Sequence, residues 1–343
     1  MLGKKLFYIT GVVIMQKPLV SVLIPVYNVE KYIEKCLRSL FVNTIVSDCE
    51  IILVDDCSPD KSMDIVRRVL ADFPTMENKV LLHSHDCNRG LAAARNTGLL
   101  QAQGKYIICV DSDDWVEPDY LEQLYGKAMA TDADIVGCNL IKEFPHKSIP
   151  TKNMLPENSA ICVGGLLLGK IQGWLHVKMI RRSLLIDNNI SWVEGLDLWE
   201  DVLFSLKVFT CAERISNVDE FLYHYRFNKQ SLVNTFGEKR IDNLIGVVKE
   251  IECFLQNRDL LERYYNDFIV MKTRVKVSIL CESNPKLQRQ YKSMYPEINK
   301  MIICENSISK VKRIAAYLIL RGHYCSGNLL LFFVRLGRKI KYR

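Results

Sequence analysis

The sequence has no apolar run approaching the ~20 residues that a membrane-spanning helix needs, so it does not read as an integral membrane protein. Its twelve cysteines never fall in paired CxxC spacing. Scattered through apolar runs such as Ile108-Cys109-Val110, they argue against a zinc ribbon or a disulfide framework. They predict reduced, mostly buried thiols in a cytoplasmic protein. The opening Leu6–Met15 follows Lys4-Lys5 and loosely mimics a signal peptide, but a small-residue cleavage site is missing. Met15 serves equally well as a start, and residues 1–17 are set aside as an uninformative extension. The net charge of +7 is modest, and no nucleic-acid partner is expected from it.

What is present is enough for a sizeable core: 343 residues with 49% hydrophobic content, read as one large domain plus an appendage. From Leu19 strand-like and helix-like segments alternate, the pattern of a layered α/β domain. Val20–Ile24 reads as a first strand ending at Pro25-Val26-Tyr27-Asn28, followed by a helix over about 30–40. Glu50–Val54 is a second strand ending in Asp55-Asp56, with a helix over roughly 61–73 beyond it. Val80–His83 is a short third strand. Asn88-Arg-Gly-Leu-Ala-Ala-Ala-Arg95-Asn96 opens another helix, stopped at Gly104. In open α/β sheets ligands gather outside the carboxyl ends of the parallel strands, and polar residues concentrate there on three strands.

The fourth strand carries the strongest signal. Tyr106–Val110 runs into Asp111-Ser112-Asp113-Asp114. Clustered carboxylates raise one another's pKa and repel unless a cation or donor group lies among them. This tip suggests a divalent-metal site for a phosphate-bearing ligand, with hard oxygen ligands favouring Mg²⁺ or Mn²⁺ over zinc. The same residues also fit a solvated turn that caps a helix beginning at Trp115.

Five motifs in this order resemble glycosyltransferase family 2: Ser21–Asn28, Ile52–Ser58, Asn88–Asn96, Gly104–Ile107 and Asp111–Trp115. The likeness covers about 19–231. It implies a GT-A fold, a Rossmann-like nucleotide-binding sheet with helices on both faces, acting on a nucleotide-sugar. It further implies that Pro25, Val26 and Tyr27 pack on the base, and that Asp56 accepts a hydrogen bond from a base edge such as the uracil imide. Asp55 caps the following turn. Arg95 follows Asn88 by seven residues, nearly two helical turns, so both are expected on one side near the nucleotide. Asp113 is expected to ligate the metal. Asp111 reaches the ribose or the metal's shell, beside Ser112.

Further on, the proline-punctuated stretch from Lys142 to Asn158 reads as a surface loop. Glu200-Asp201 before an apolar helical run fits a helix N-terminus favoured by the dipole. It also resembles the family's acidic pair, with Asp201 as the base that deprotonates an acceptor hydroxyl and Glu200 as the fallback. Phe221–Arg226 reads as a final strand, with His224 and Arg226 on one face and Tyr223 and Tyr225 on the other. The resemblance makes Arg226 and Ser231 diphosphate contacts, and His224 is read as structural before metal-binding.

The chain is therefore divided into a catalytic domain over 18–236 and a mainly α-helical C-terminal region over 237–343. In that region, basic residues such as Lys310, Arg313, Arg335 and Arg338 flank apolar helical stripes. This pattern suits an anionic membrane surface or a cap packed on the catalytic domain. The expected activity is metal-dependent, inverting transfer of a sugar, from a UDP-type donor, to a hydroxyl of a glycan or lipid-linked saccharide in surface-polysaccharide synthesis. A nucleotidyltransferase normally has a glycine-rich basic loop where this chain has Pro25–Asn28. A catalytically inactive nucleotide- or glycan-binding protein is the other alternative.

Overall fold

The computed structural model describes residues 8–9, 12–13, 17–227, 237–282 and 284–341. Tyr8–Ile9 pairs antiparallel with Val12–Val13. The main sheet is built from β1 (Val20–Val26), β2 (Glu50–Asp55), β3 (Val80–Ser84), β4 (Tyr106–Cys109), β5 (Trp115–Val116), β6 (Ile135–Phe144), β7 (Lys147–Thr151), β8 (Lys178–Arg181) and β9 (Ile215–Arg226). Their order is β3-β2-β1-β4-β8-β6-β9-β5, with β7 paired to β6. β1 to β4 run parallel, the arrangement expected for strands joined through helices. β8 then enters antiparallel between β4 and β6, making the sheet mixed.

Side-chain alternation along the strands divides the core in two. Val20, Val22, Ile24 and Val26 of β1, with Ile51 and Leu53 of β2, face a layer that includes α1 (Ile33–Phe41), α2 (Ser62–Asp72) and α4 (Tyr120–Thr131). Leu23, Ile52, Val54, Ile107 and Cys109 face the other layer. It contains α3 (Leu91–Gln101), α5 (Ser159–Leu167) and α7 (Glu200–Cys211); α6 (Arg182–Asp187) leads out of β8. α8 (Glu238–Asn257) and α9 (Leu261–Leu280) extend this second layer: Leu244, Val247 and Phe268 share one cluster with Leu203 and Leu167. α10 (Pro285–Tyr291), α11 (Met301–Cys304), α12 (Lys310–Leu320) and α13 (Tyr324–Lys341) follow, and α12 and α13 pack with the end of α9 in a smaller cluster. Among the described residues, no helix is long and apolar enough to cross a membrane.

Three expectations need correcting. The stretch from Lys142 to Asn158 is not simply a loop, because β6 continues to Phe144 and returns as β7. Pro150 is tolerated there because β7 is an outer strand, where a missing N–H need not break a ladder. Trp115 does not open a helix, since Trp115–Val116 pairs with Tyr223–His224. The cysteines are all free, but only Cys36, Cys49, Cys109, Cys138 and Cys162 are buried; Cys57, Cys87, Cys253, Cys304 and Cys325 are exposed.

Candidate active site

The acidic tip after β4 is a tight turn closed by the Asp114 amide on the Asp111 carbonyl, at 3.0 Å. Asp111 Oδ1 accepts from Arg95 Nη2 at 2.9 Å, and its Oδ2 lies 3.2 Å from His176 Nδ1. Burial opposes ionisation of Asp111, but the His176 hydrogen bond and the Arg95 charge outweigh it and hold the carboxyl well below its usual range. Asp114 is the opposite case. It is buried, and burial followed by the charges of Asp113 and Asp111 pushes it well above that range. Its oxygens accept from Tyr223 Oη at 2.8 Å and from the Arg226 amide at 2.7 Å. Ser112 is buried and Asp113 half-buried.

Donor atoms of Asp111, Asp114 and His176 lie within 4.8 Å of one another. Of this set, the carboxylates suit a hard divalent cation such as Mg²⁺ or Mn²⁺, and the imidazole suits a softer one. Each carboxylate oxygen has two acceptor positions, so the hydrogen bonds already present leave room for a metal. The sequence assigned the ligand role to Asp113 and Asp111 and not to Asp114 or His176. The visible signal for Asp114 was its place in the D-S-D-D run; His176 had none, because its pairing to Asp111 spans the fold.

At the ends of β1 and β2 the two strands offer different surfaces. Val26 is fully buried in the core and Pro25 is buried too, so Tyr27 is the exposed member of the three. Tyr27 is 46% exposed and presents an aromatic surface. Asp55 accepts from the Ser58 amide at 2.8 Å, closing the turn. The buried Asp56 accepts from the Arg89 and Gly90 amides, each at 2.8 Å, and its Oδ1 lies 2.7 Å from His85 Nδ1. Those three partners leave one of about four acceptor positions on the carboxylate.

Asn88 and Arg95 do not share a helical face. α3 begins only at Leu91, after Gly90 at φ +93°, so the 3.6-residue period does not run through Asn88. Asn88 lies exposed in the preceding loop, its amide 3.4 Å from the Asp56 carbonyl, whereas Arg95 is buried. Gly90 is required where it is, because a Cβ there would come within 2.5 Å of the Asp197 carboxylate, which accepts from the Ala92 amide at 3.1 Å.

Arg95 links the two acidic centres. Beside its contact to Asp111, its Nη1 donates to Glu200 Oε1 at 2.7 Å. Burial, then the charge of Asp201, pushes Glu200 up to about 7 despite Arg95. Asp201 is raised as well, first by burial, and remains partly exposed. Both acids occupy the first turn of α7, where the helix dipole favours negative charge. The turn is entered through Trp199 at φ +63°, a strained conformation for a bulky residue. Gly173 abuts it: a Cβ there would fall 2.7 Å from the Val202 nitrogen. Lys178, buried, donates to the Gln172 and Trp174 carbonyls at 2.9 and 2.5 Å, fixing the segment that carries Gly173. Burial pushes Lys178 down to about 7, with the charge of Asp201 pulling the other way.

β9 closes the site. His176 stacks on Tyr223 and Tyr225, at 4.4 and 5.6 Å between ring centroids, and so covers one face of the strand. On the other, His224 stacks on Trp115 at 4.9 Å, and the Arg226 guanidinium lies 4.7 Å from the same ring. Both ring nitrogens of His224 are taken by carboxylates, Glu143 at 2.8 Å and Glu117 at 2.7 Å, which fits a structural histidine. Arg226 Nε donates to the Asp113 carbonyl at 2.8 Å. Ser231 lies outside the described residues.

A parallel nucleotide-type sheet, extended by an antiparallel strand and bearing acids at the tip of β4 and the start of α7, defines a GT-A glycosyltransferase. The chain belongs to glycosyltransferase family 2: the family model, described as Glycosyl transferase family 2, matches residues 21–188. The chain is 34% identical over 271 residues to EpsH of Bacillus subtilis (strain 168), covering 76% of this chain and 77% of that one. It is 31% identical over 254 residues to the glycosyltransferase GlyA of Streptococcus pneumoniae serotype 4, covering 69% of this chain but 35% of that one. Residues 1–349 of S. aureus TarS, solved in complex with UDP-GlcNAc, share the fold, with a TM-score of 0.60 at 21% identity over 90% of this chain and 92% of that one.

Proposed function

We propose that this glycosyltransferase moves a sugar from a UDP-type donor to a hydroxyl of a glycan or lipid-linked saccharide, with inversion, during surface-polysaccharide synthesis. The observation that carries the reading is the buried Arg95, which ties Asp111 at the strand tip to Glu200 beside Asp201. A donor site and a proton acceptor are thereby held in fixed relation. The exposed Tyr27 ring and the remaining acceptor position of Asp56 suit a nucleobase. The solved relative with UDP-GlcNAc supports a uridine nucleotide in this fold.

Asp111 and Asp113 would hold Mg²⁺ or Mn²⁺, which when bound neutralises the charge of a departing nucleoside diphosphate. Asp114 and His176, whose donor atoms lie within 4.8 Å of those of Asp111, would complete the surroundings of that metal. Arg226 and Ser231 are assigned to the diphosphate, Ser112 and Asn88 to the rim of the nucleotide site. Asp201 takes the proton of the acceptor hydroxyl as its oxygen bonds to the anomeric carbon. The bond from that carbon to the phosphate oxygen breaks on the opposite face, and the nucleoside diphosphate leaves with the electron pair. Glu200, spent on Arg95, positions that guanidinium and is not the base. The basic, apolar α13 is read as a contact to the anionic inner face of a membrane.

A panel of nucleotide-sugars assayed for turnover with Mg²⁺, with Mn²⁺ and with EDTA tests this. Turnover of at least one UDP-sugar, lost in EDTA and giving the inverted anomer by NMR, is expected. Equal donor affinity with and without EDTA counts against a metal at the strand tip.

A further inference from the structure

Beside the Gln172–Trp174 segment lies a cavity of about 300 Å³ that the chemistry above does not use. It opens between β7 and the chain after α5, and its lining includes Lys142, Thr151, Lys152, Lys170, Gln172 and Trp174, with no acidic side chain. Lys142 is half-buried, with its ammonium 4.8 Å from the centre of the Trp174 ring. Lys152 lies at the rim and is shared with Asp219 at 2.8 Å, while Lys170 is exposed. The cavity adjoins the catalytic side through one short wall. A Cβ on Gly173 would lie 2.9 Å from the Asp201 carbonyl carbon, and the Trp174 ring is layered toward His176 at 6.3 Å.

Lys152 already has Asp219, but the half-buried Lys142 loses hydration with no acid in the lining to offset it, and Lys170 adds a second unmatched positive charge to that lining, an arrangement that an anion would complete. The cavity's lining includes none of the acids of the Asp111 tip, where the donor diphosphate is assigned. We propose that this cavity is an acceptor subsite that recognises an anionic group, a phosphate or a carboxylate, carried by the acceptor saccharide beside its reactive hydroxyl. The inference rests on the reading of Asp201 as the proton acceptor and adds the chemical class of the acceptor. Lys142 and Lys170 supply the charge, and Thr151 and Gln172 supply hydrogen bonds to the sugar.

The test uses the whole chain and three matched probes: methyl β-glucoside, its 6-phosphate, and methyl β-glucuronide. Binding is followed by calorimetry and by the Trp174 indole resonance, with UDP present. The two charged probes are expected to bind at least about tenfold more tightly than the neutral one, as charge-assisted hydrogen bonds would give. Lys142→Gln with Lys170→Gln should remove that preference while leaving donor hydrolysis by water unchanged. Lys170→Gln alone, at an exposed position, should weaken it several-fold without risk to the fold. Preference for the phosphate or for the glucuronide tells the two anion sources apart. Equal binding of all three probes, or a preference that survives both substitutions, overturns the proposal. Because binding is read without turnover, failure of the glycosyl-transfer reading appears separately, as absence of donor hydrolysis in the unmodified chain.

Discussion

Asp201 and Glu200 are adjacent in sequence yet differ in surroundings, and that difference separates their roles. Glu200 is buried against Arg95, whereas Asp201 is partly exposed and spends one oxygen on the Val202 amide at 2.8 Å. Asp201→Asn keeps the shape and removes the proton acceptor, so transfer to the true acceptor should fall about 10²–10⁴-fold with donor affinity little changed. Glu200→Gln should be milder and should disturb Arg95. The reverse ranking means that the two are exchanged, and full transfer in both variants means that the base is elsewhere. The pH profile supplies a second reading. Asp201 is raised above its ordinary 3.8, chiefly by burial, so acidification protonates it earlier than an exposed aspartate. Turnover should therefore rise with pH along an acid limb centred above 3.8, and a limb at or below that value argues against Asp201. Much of this was legible, because acids at strand and helix ends stand out against apolar runs. The Arg95–Glu200 contact was not, since it joins residues 105 apart in the chain. The phase argument for Asn88 failed because Gly90 starts the helix three residues later than the periodicity suggests.

At the scale of elements, α13 differs from the helices above it. Leu329, Phe332, Phe333 and Leu336 recur at helical spacing and are 58%, 57%, 59% and 44% exposed. Four large apolar side chains on one open stripe, in a segment also carrying Arg335, Arg338, Lys339 and Lys341, fit a helix lying in a membrane interface. Replacing Leu329, Phe332 and Phe333 by serine should lower sedimentation with phosphatidylglycerol vesicles at least about tenfold, given ~0.8 kcal/mol per buried methylene. Donor hydrolysis should persist. Unchanged sedimentation would leave the stripe as a cap for some other surface. The sequence displayed this element because helical periodicity is local. It concealed β7, because Pro150 within it and Pro145 in the turn before it pointed to a loop, and only pairing with β6 supplies the strand.

For the whole molecule, the question is whether the C-terminal helices form an appendage or part of the catalytic core. Composition suggested a boundary near 237, since the β rhythm stops there. Packing joins what rhythm separates: Ile241, Leu244, Val247, Val248, Ile251 and Leu255 of α8 are fully buried in the cluster that holds Leu203, Phe204 and Leu206 of α7. Asn243 of α8 also accepts from the Asp197 amide at 2.7 Å, and Asp197 in turn caps α3. Burying such side chains contributes about 1.5–3 kcal/mol each, so losing α8 would remove stabilisation comparable to the whole ~5–15 kcal/mol by which a domain is stable. A chain ending at residue 236 should therefore be insoluble or bind hydrophobic dyes without a cooperative unfolding transition. α12 and α13 are a different case, packing with α9 through the smaller cluster of Val277, Leu280, Ala315, Ala316, Ile319 and Leu331. A chain ending near Ser309 should lose part of its stability yet unfold in a single transition and still hydrolyse the donor. If instead the 236-residue chain folds cooperatively and keeps donor hydrolysis, α8 is an accessory to the site, and the Asn243–Asp197–α3 connection does not position it.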